Sequence, residues 1–304
     1  MGPTRVLVTG AGGQTGSIVV RKLLEPARAT SFTVRATVRS DESAAKLKES
    51  LGDLAAKLEI VKIDITQPET LAEAFKGMHA LVLVTSAMPR LDKLSLVGVI
   101  LTKIFTLGMV SVKPSFYFDE GQGPEQVDFM GQRDQINAAK NAGLKHVILI
   151  SSMAGTKPDH FLNTQMDNIV LWKRKAECHL MQTGLPYTII HPGGLLPHFG
   201  DKNAAPGGVR ELFAGIDDKL MDDKDKSTVP REDVAEVCVE CLAFPKLAKG
   251  RSFDLGSGPK TDTARPVDLK ALLAPLGGSN CHYTAADAAF QPEPDAKKDS
   301  FRTC

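Results

Sequence analysis

The chain has 304 residues, enough for one large domain or two small ones whose core needs no disulfide or metal. Hydrophobic residues make up 42% and charged residues 24%, a balance that excludes a wholly disordered chain and a polytopic membrane protein. Lys and Arg number 37 against 36 Asp and Glu, so a net charge of +1 offers no case for a nucleic-acid binder.

Strand and helix signals alternate from the first residues. Residues 5–9 (RVLVT) form a β-rich run, followed by a glycine cluster at 10–16 and a helical stretch at 17–25. A second strand is expected at 32–38, and a helix at 41–51 with Ser40 or Asp41 as its cap. The third strand is at 58–63, a Pro68-initiated helix at 69–76, and an almost purely apolar fourth strand at 80–84. After an irregular stretch at 88–124 come a long helix at 125–141, a strand at 146–150, a helix at 168–183 closed by Gly184, and a strand at 187–190. Near-continuous apolar strands separated by helices require a parallel sheet covered on both faces, the doubly wound, Rossmann-like α/β architecture. Beyond Pro192 the pattern loosens. A helix near 209–213, a helix at 231–244, a strand at 252–255 and a helix near 266–273 are read as a small C-terminal substrate region packed over the strand ends. The NAD(P)-binding domain thus runs over 1–260, with the substrate region at about 192–260. A C-terminal helix and tail occupy 261–304.

The irregular stretch contains Leu94–Val112, nineteen mostly apolar residues with one charge, Lys103. Two Gly, four Ser or Thr and the central Lys argue against a membrane span. The run is expected to wall or cover a pocket, with contact to a protein partner or a membrane surface as the alternative. Five cysteines, at 178, 238, 241, 281 and 304, are too scattered for a disulfide framework. Cys238 and Cys241 fall inside a helical pattern and are expected to pack as small hydrophobes. No metal-ligand spacing stands out, and no metal is expected. No charged-then-apolar leader and no lipidation pattern is visible, so a cytoplasmic location is expected, with a plastid as the alternative.

The chemistry concentrates after the strands. Gly10-Ala-Gly12-Gly13-Gln14-Thr15-Gly16 lies between a strand and a helix and fits GxxGxxG through residues 10, 13 and 16. Glycine permits the tight turn and lets a pyrophosphate approach the backbone amides at the positive end of the helix. The second strand ends Thr37-Val38-Arg39-Ser40, without the Asp or Glu that usually holds the ribose of NAD. Arg39 can fork onto a 2′-phosphate and Ser40 can add a hydroxyl, so NADP(H) is expected rather than NAD. Asp64 is placed to meet the adenine edge or, alternatively, to cap the following turn.

These motifs, with DIT at Asp64-Ile65-Thr66, TSA at Thr85-Ser86-Ala87, YTIIHPGGL and VPREDVAEV, resemble the atypical branch of the short-chain dehydrogenase/reductase superfamily. That branch holds the NmrA-like and flavin-reductase-like NAD(P)-binding proteins, and residues 121–156 are similar to its plant-type members. The resemblance spans roughly 5–257 and implies that Ile65, Thr85, Ser86 and Ala87, together with the backbone of His191, Pro192 and Gly193, line the cofactor. Most members use a Tyr-x-x-x-Lys pair plus a Ser. Here Lys173 takes the lysine position with Ile169 four residues earlier. The alternative register puts Lys175 in that role with Leu171 at the tyrosine place, which also lacks a hydroxyl. Ser151 and Ser152 end the fifth strand, where the family serine lies, and Asp128 takes the place of an Asn. His191 is read as an acid or as a hydrogen-bonding residue of its turn. The resemblance implies an NADPH-dependent oxidoreductase acting on a small organic acceptor without the usual tyrosine acid. The alternatives are a non-catalytic NADP(H)-responsive sensor or scaffold with a protein partner, and a nucleotide-sugar epimerase or dehydratase.

Overall fold

The computed structural model describes residues 2–92, 95, 115–197 and 205–291. The strands are β1 (Thr4–Thr9), β2 (Phe32–Val38), β3 (Leu58–Lys62), β4 (Ala80–Leu83), β5 (Arg90–Leu91), β6 (Phe116–Tyr117), β7 (His146–Ile150), β8 (Tyr187–Pro192), β9 (Gly194–Leu196), β10 (Arg210–Gly215), β11 (Thr228–Pro230) and β12 (Arg251–Lys260). The helices are α1 (Gln14–Leu24), α2 (Asp41–Leu51), α3 (Leu71–Phe75), α4 (Gln132–Asn141), α5 (Phe161–Thr164), α6 (Ile169–Gln182), α7 (Arg231–Ala243), α8 (Pro245–Ala248), α9 (Leu269–Leu273) and α10 (Ala285–Ala289).

The main sheet runs β3-β2-β1-β4-β7-β8-β12-β11-β9, with β10 paired to β12. The first seven strands of this order pair in parallel. The chain reverses its direction of travel between β1 and β4, and in such a sheet a ligand crevice opens beyond the carboxyl ends of the strands at that switch point. Helices cover both faces, with one apolar cluster under α1, α2 and α7 and another under α3, α4 and α6. Ion pairs from Arg21, Lys22 and Arg28 to Glu232, Glu236 and Glu240 fasten α1 to α7.

Three expectations change. Where a helix is expected near 209–213, the chain forms the strand Arg210–Gly215. Val209, Leu212 and Phe213 have helical spacing, but the segment gains an antiparallel ladder along β12, with a register shift between Arg210 and Leu212, and pairing overrides so short a periodic signal. The strands after Pro192 extend the main sheet instead of forming a separate layer over the strand ends. The chain through residue 291 also packs, with Cys281 buried and Phe290 edge-on to Trp172. The long helix at 125–141 begins with π-helical hydrogen bonding over Glu125–Gly131 before α4. Apart from Ser95, the Leu94–Val112 run lies outside the described residues. Among the described residues no helix is long and apolar enough to cross a membrane.

Candidate functional site

The glycine loop is built for close approach. Gly10 has φ +74, and a Cβ there would sit 2.9 Å from the Val84 carbonyl group. A Cβ on Gly16 would stand 2.2 Å from the Gly10 carbonyl oxygen. Only glycine satisfies the first position's backbone and the second position's space. Gly13 caps α1 without a side-chain acceptor, its own amide donating to Gly10 O at 3.0 Å. Gln14, Thr15 and Gly16 form the first turn, so their amides have no acceptor within the helix, and no acidic residue opposes an anion there. Gly12 faces Val38 and Ser43, which places the loop beside the end of β2. Arg39 is exposed at that end, its guanidinium donating to Gln122 Oε1.

Neighbouring residues divide between structural and open roles. Ser40 is the N-cap of α2, accepting from Ser43 N at 3.2 Å. Asp64 Oδ1 accepts from the amide and hydroxyl of Thr66 at 2.9 and 2.7 Å, the turn-capping alternative. Ile65 packs against Gly131 and the apolar cluster around Ala87. After β4, Thr85 accepts from Gln132 and Gln135, and the Ser86 hydroxyl bonds weakly to Ala87 O at 3.4 Å. The Ala87 amide donates to Asp128 Oδ2 at 3.0 Å.

Asp128 ties this loop to α6. It is fully buried within the π-helical turn, and its Oδ1 receives Lys173 Nζ at 2.6 Å. Such turns recur at functional sites because one extra residue re-aims a side chain. The two candidate lysines stand in different surroundings. Lys173 is buried against the loop after β4, whereas Lys175 lies over the Phe129 ring and donates to Phe290 O. Ile169, one turn before Lys173, is buried with Ala87, Val127, Ala154, Met166 and Val170, and Phe116, Phe118, Leu162 and Met221 pack against this group. No hydroxyl occupies the family's tyrosine position.

One turn after Lys173, Glu177 anchors a second buried group. Its carboxylate accepts from the Ser151 hydroxyl, from Tyr283 Oη at 2.8 Å and from His191 Nε2 at 2.9 Å. Arg174 stands 3.7 Å from it and stacks on the Tyr283 ring at 4.0 Å. Burial alone would raise the pKa of Glu177, but His191, Arg174 and Ser151 hold it down at about 2. Burial likewise opposes charge on His191, yet Glu177 and Asp254 on either side push its pKa well above the ordinary histidine value. His191 is thus held between two carboxylates within this network. Ser152 turns away and donates to Met153 O. Pro192 ends β8, and Gly193 admits no Cβ, one there falling 2.3 Å from Ser227 O. Sequence reasoning missed Glu177, Arg174, Cys281 and Tyr283. The signal for Glu177 was its place one turn beyond Lys173, and Arg174 lies three residues before it on the same helix; nothing in sequence brought the two C-terminal residues, Cys281 and Tyr283, to this group.

The family described as NAD(P)H-binding matches residues 10–245. The chain belongs to that family, in the atypical short-chain dehydrogenase/reductase branch. Sanguinarine reductase of Eschscholzia californica is 43% identical over 284 residues, covering 88% of this chain and 94% of that protein. A chloroplastic protein of Arabidopsis thaliana is also 43% identical, over 272 residues, covering 89% and 75% of the two chains. Among solved structures, a candidate NAD-dependent epimerase/dehydratase of Bacillus halodurans superposes with TM-score 0.60 at 21% identity, covering 85% of this chain and 96% of that one. An oxidoreductase of Lactococcus lactis gives 0.59 at 20%, covering 92% and 100%. These two likenesses speak to the fold alone.

Proposed function

We propose that the chain is an NADP(H)-dependent reductase delivering hydride to an apolar small molecule that stabilises its own negative charge. The cofactor supplies the hydride; the protein binds, orients and excludes water. The glycine loop and the amides of Gln14, Thr15 and Gly16 would hold the pyrophosphate. Arg39 would select the 2′-phosphate, and Ala87 and Lys173 would border the nicotinamide ribose. The observation that carries this reading is the buried Lys173–Asp128 pair beside an apolar group in which Ile169 stands where a tyrosine acid would be. Isoleucine cannot protonate a developing alkoxide, so quinones and flavins suit the site better than simple ketones. The name of one 43%-identical relative, sanguinarine reductase, supports a reductase acting on a small organic acceptor.

The test is NADPH oxidation by purified protein against quinones, flavins, sanguinarine, aldehydes and ketones. Turnover of an electron-accepting aromatic with poor turnover of ketones is expected. Brisk ketone reduction contradicts the tyrosine-free mechanism. NADPH binding without any turnover favours the second reading, a cofactor-responsive sensor, to which the missing tyrosine also points. The Leu94–Val112 run is proposed to cover the acceptor or contact a protein or membrane surface, and its deletion should alter turnover, oligomeric state or membrane association. The chloroplastic Arabidopsis relative supports a plastid as a location alongside the cytoplasm.

A further inference from the structure

Behind Ser151 and Glu177, three potential ligands from distant parts of the chain converge. His191 comes from β8, Asp254 from β12, and Cys281 from the segment after α9. All three are buried, at 2%, 1% and 6% exposure. Nδ1 of His191 lies 3.3 Å from Asp254 Oδ1 and 3.5 Å from Cys281 Sγ, and that sulfur lies 3.7 Å from the same oxygen. Direct hydrogen bonding accounts poorly for this triangle. A charge-assisted N–H to carboxylate bond settles at about 2.7–2.9 Å, and the other two edges involve a weak thiol donor. A tetrahedral zinc ion, with bonds of about 2.0–2.2 Å to nitrogen and oxygen and 2.3 Å to sulfur, would hold the same three atoms about 3.3–3.7 Å apart.

The surroundings match as well. His191 Nε2 is taken by Glu177 at 2.9 Å, which turns Nδ1 toward the other two groups. A carboxylate on the second nitrogen is the usual support of a ligating imidazole. Asp254 Oδ2 accepts from the Asp218 amide at 2.7 Å, leaving Oδ1 for the centre. Asp218 holds a left-handed backbone, φ 61, to present that amide. The Cys281 amide donates to Ser252 O and Ser252 Oγ at 3.1 Å each, and Asn280 Oδ1 accepts from Ser252 N at 2.9 Å, so backbone pairing to β12 fixes the sulfur.

We propose that His191, Asp254 and Cys281 form a site for a single divalent transition cation, zinc by the mixed nitrogen, oxygen and sulfur set, with water at the fourth corner. Binding releases the thiol proton and the Nδ1 proton, leaving a neutral imidazole, a thiolate and a carboxylate on the ion. The ion's dipositive charge then matches the thiolate and Asp254, while Glu177 keeps Arg174. The site fastens the C-terminal segment to the sheet and stiffens the Glu177 carboxylate that receives Ser151. It is independent of the cofactor reading, since it needs no turnover.

The full chain, stripped with a chelator and desalted, is titrated with cobalt(II) and separately with zinc, and metal is counted by mass spectrometry after gel filtration. One ion per chain, a thiolate-to-cobalt charge-transfer band and a zinc-dependent rise in Tm are expected. Cys281→Ser should lose the band and the Tm response, while Cys241→Ser, away from the site, should keep both. Glu177→Gln should weaken zinc binding about tenfold to a hundredfold. If Cys281→Ser does not fold, the wild-type band and stoichiometry decide. Folded wild type that takes up no stoichiometric metal, or binds it without a thiolate band, overturns the proposal, as does full retention by folded Cys281→Ser.

Discussion

Two buried ionic groups sit one turn apart on α6 and are built differently. At the front, Lys173 and Asp128 form a two-body pair, supplemented among the described residues by the Ala87 amide and walled by apolar side chains. At the back, Glu177 serves Ser151, His191, Tyr283 and Arg174 at once, gathering β7, β8 and the C-terminal segment. The front pair joins a helix to the loop after β4, where a cofactor would lie, and can exchange partners without unfastening the sheet. The back group is over-determined, as suits a scaffold. A buried charge is tolerated in either case only while its partner remains.

That contrast can be broken by paired substitutions. Asp128→Ala and Glu177→Ala should each lose about 3–5 kcal/mol in denaturant unfolding, because each strands a buried cation. The double variant Asp128→Leu with Lys173→Met should recover most of the loss, since an apolar replacement of a two-body pair is often neutral. Glu177→Leu with His191→Leu should not recover, since Arg174 stays buried without its carboxylate. Equal recovery in both doubles would erase the distinction.

His146 sharpens the comparison from a third side. It is a buried histidine whose pKa desolvation, then Lys249, lowers to about 4, with Nε2 2.8 Å from Thr188 Oγ1. A depressed folded pKa means that the unfolded chain binds the proton first. His146 therefore contributes full stability above about pH 6.5, and this is lost as pH falls toward 4, by up to about 3 kcal/mol. His146→Gln should flatten that part of the stability curve, and an unchanged slope would show that His146 is charged when folded. A smaller effect is expected at the front. Ile169→Tyr should cost about 1–3 kcal/mol by overpacking while raising ketone reduction, because it supplies the missing acid beside Lys173.

The front of the site was largely legible in the sequence, and the back was not. Gly10, Gly13, Gly16 and Arg39 are local: a turn, a helix start and a strand end read within forty residues. Lys173 was a candidate by its spacing, but its pairing with Asp128 depends on the π-helical turn, and hydrogen-bond register inside a helix leaves no periodic mark. Tyr283 reaches Glu177, and Cys281 reaches His191, from far along the chain, and nothing in composition separates such a segment from a loose tail. Likewise, helical spacing at 209–213 lost to strand pairing with β12, a long-range term.

The central claim is that the glycine loop and Arg39 together hold NADP(H). It is tested most directly by calorimetric titration of NADPH and NADH into wild type and Arg39→Ala. The wild type should bind NADPH more tightly, and Arg39→Ala should lose about tenfold to a hundredfold in NADPH affinity, the worth of one charged hydrogen bond, with NADH affinity unchanged. Equal affinities for the two cofactors in the wild type would contradict the account.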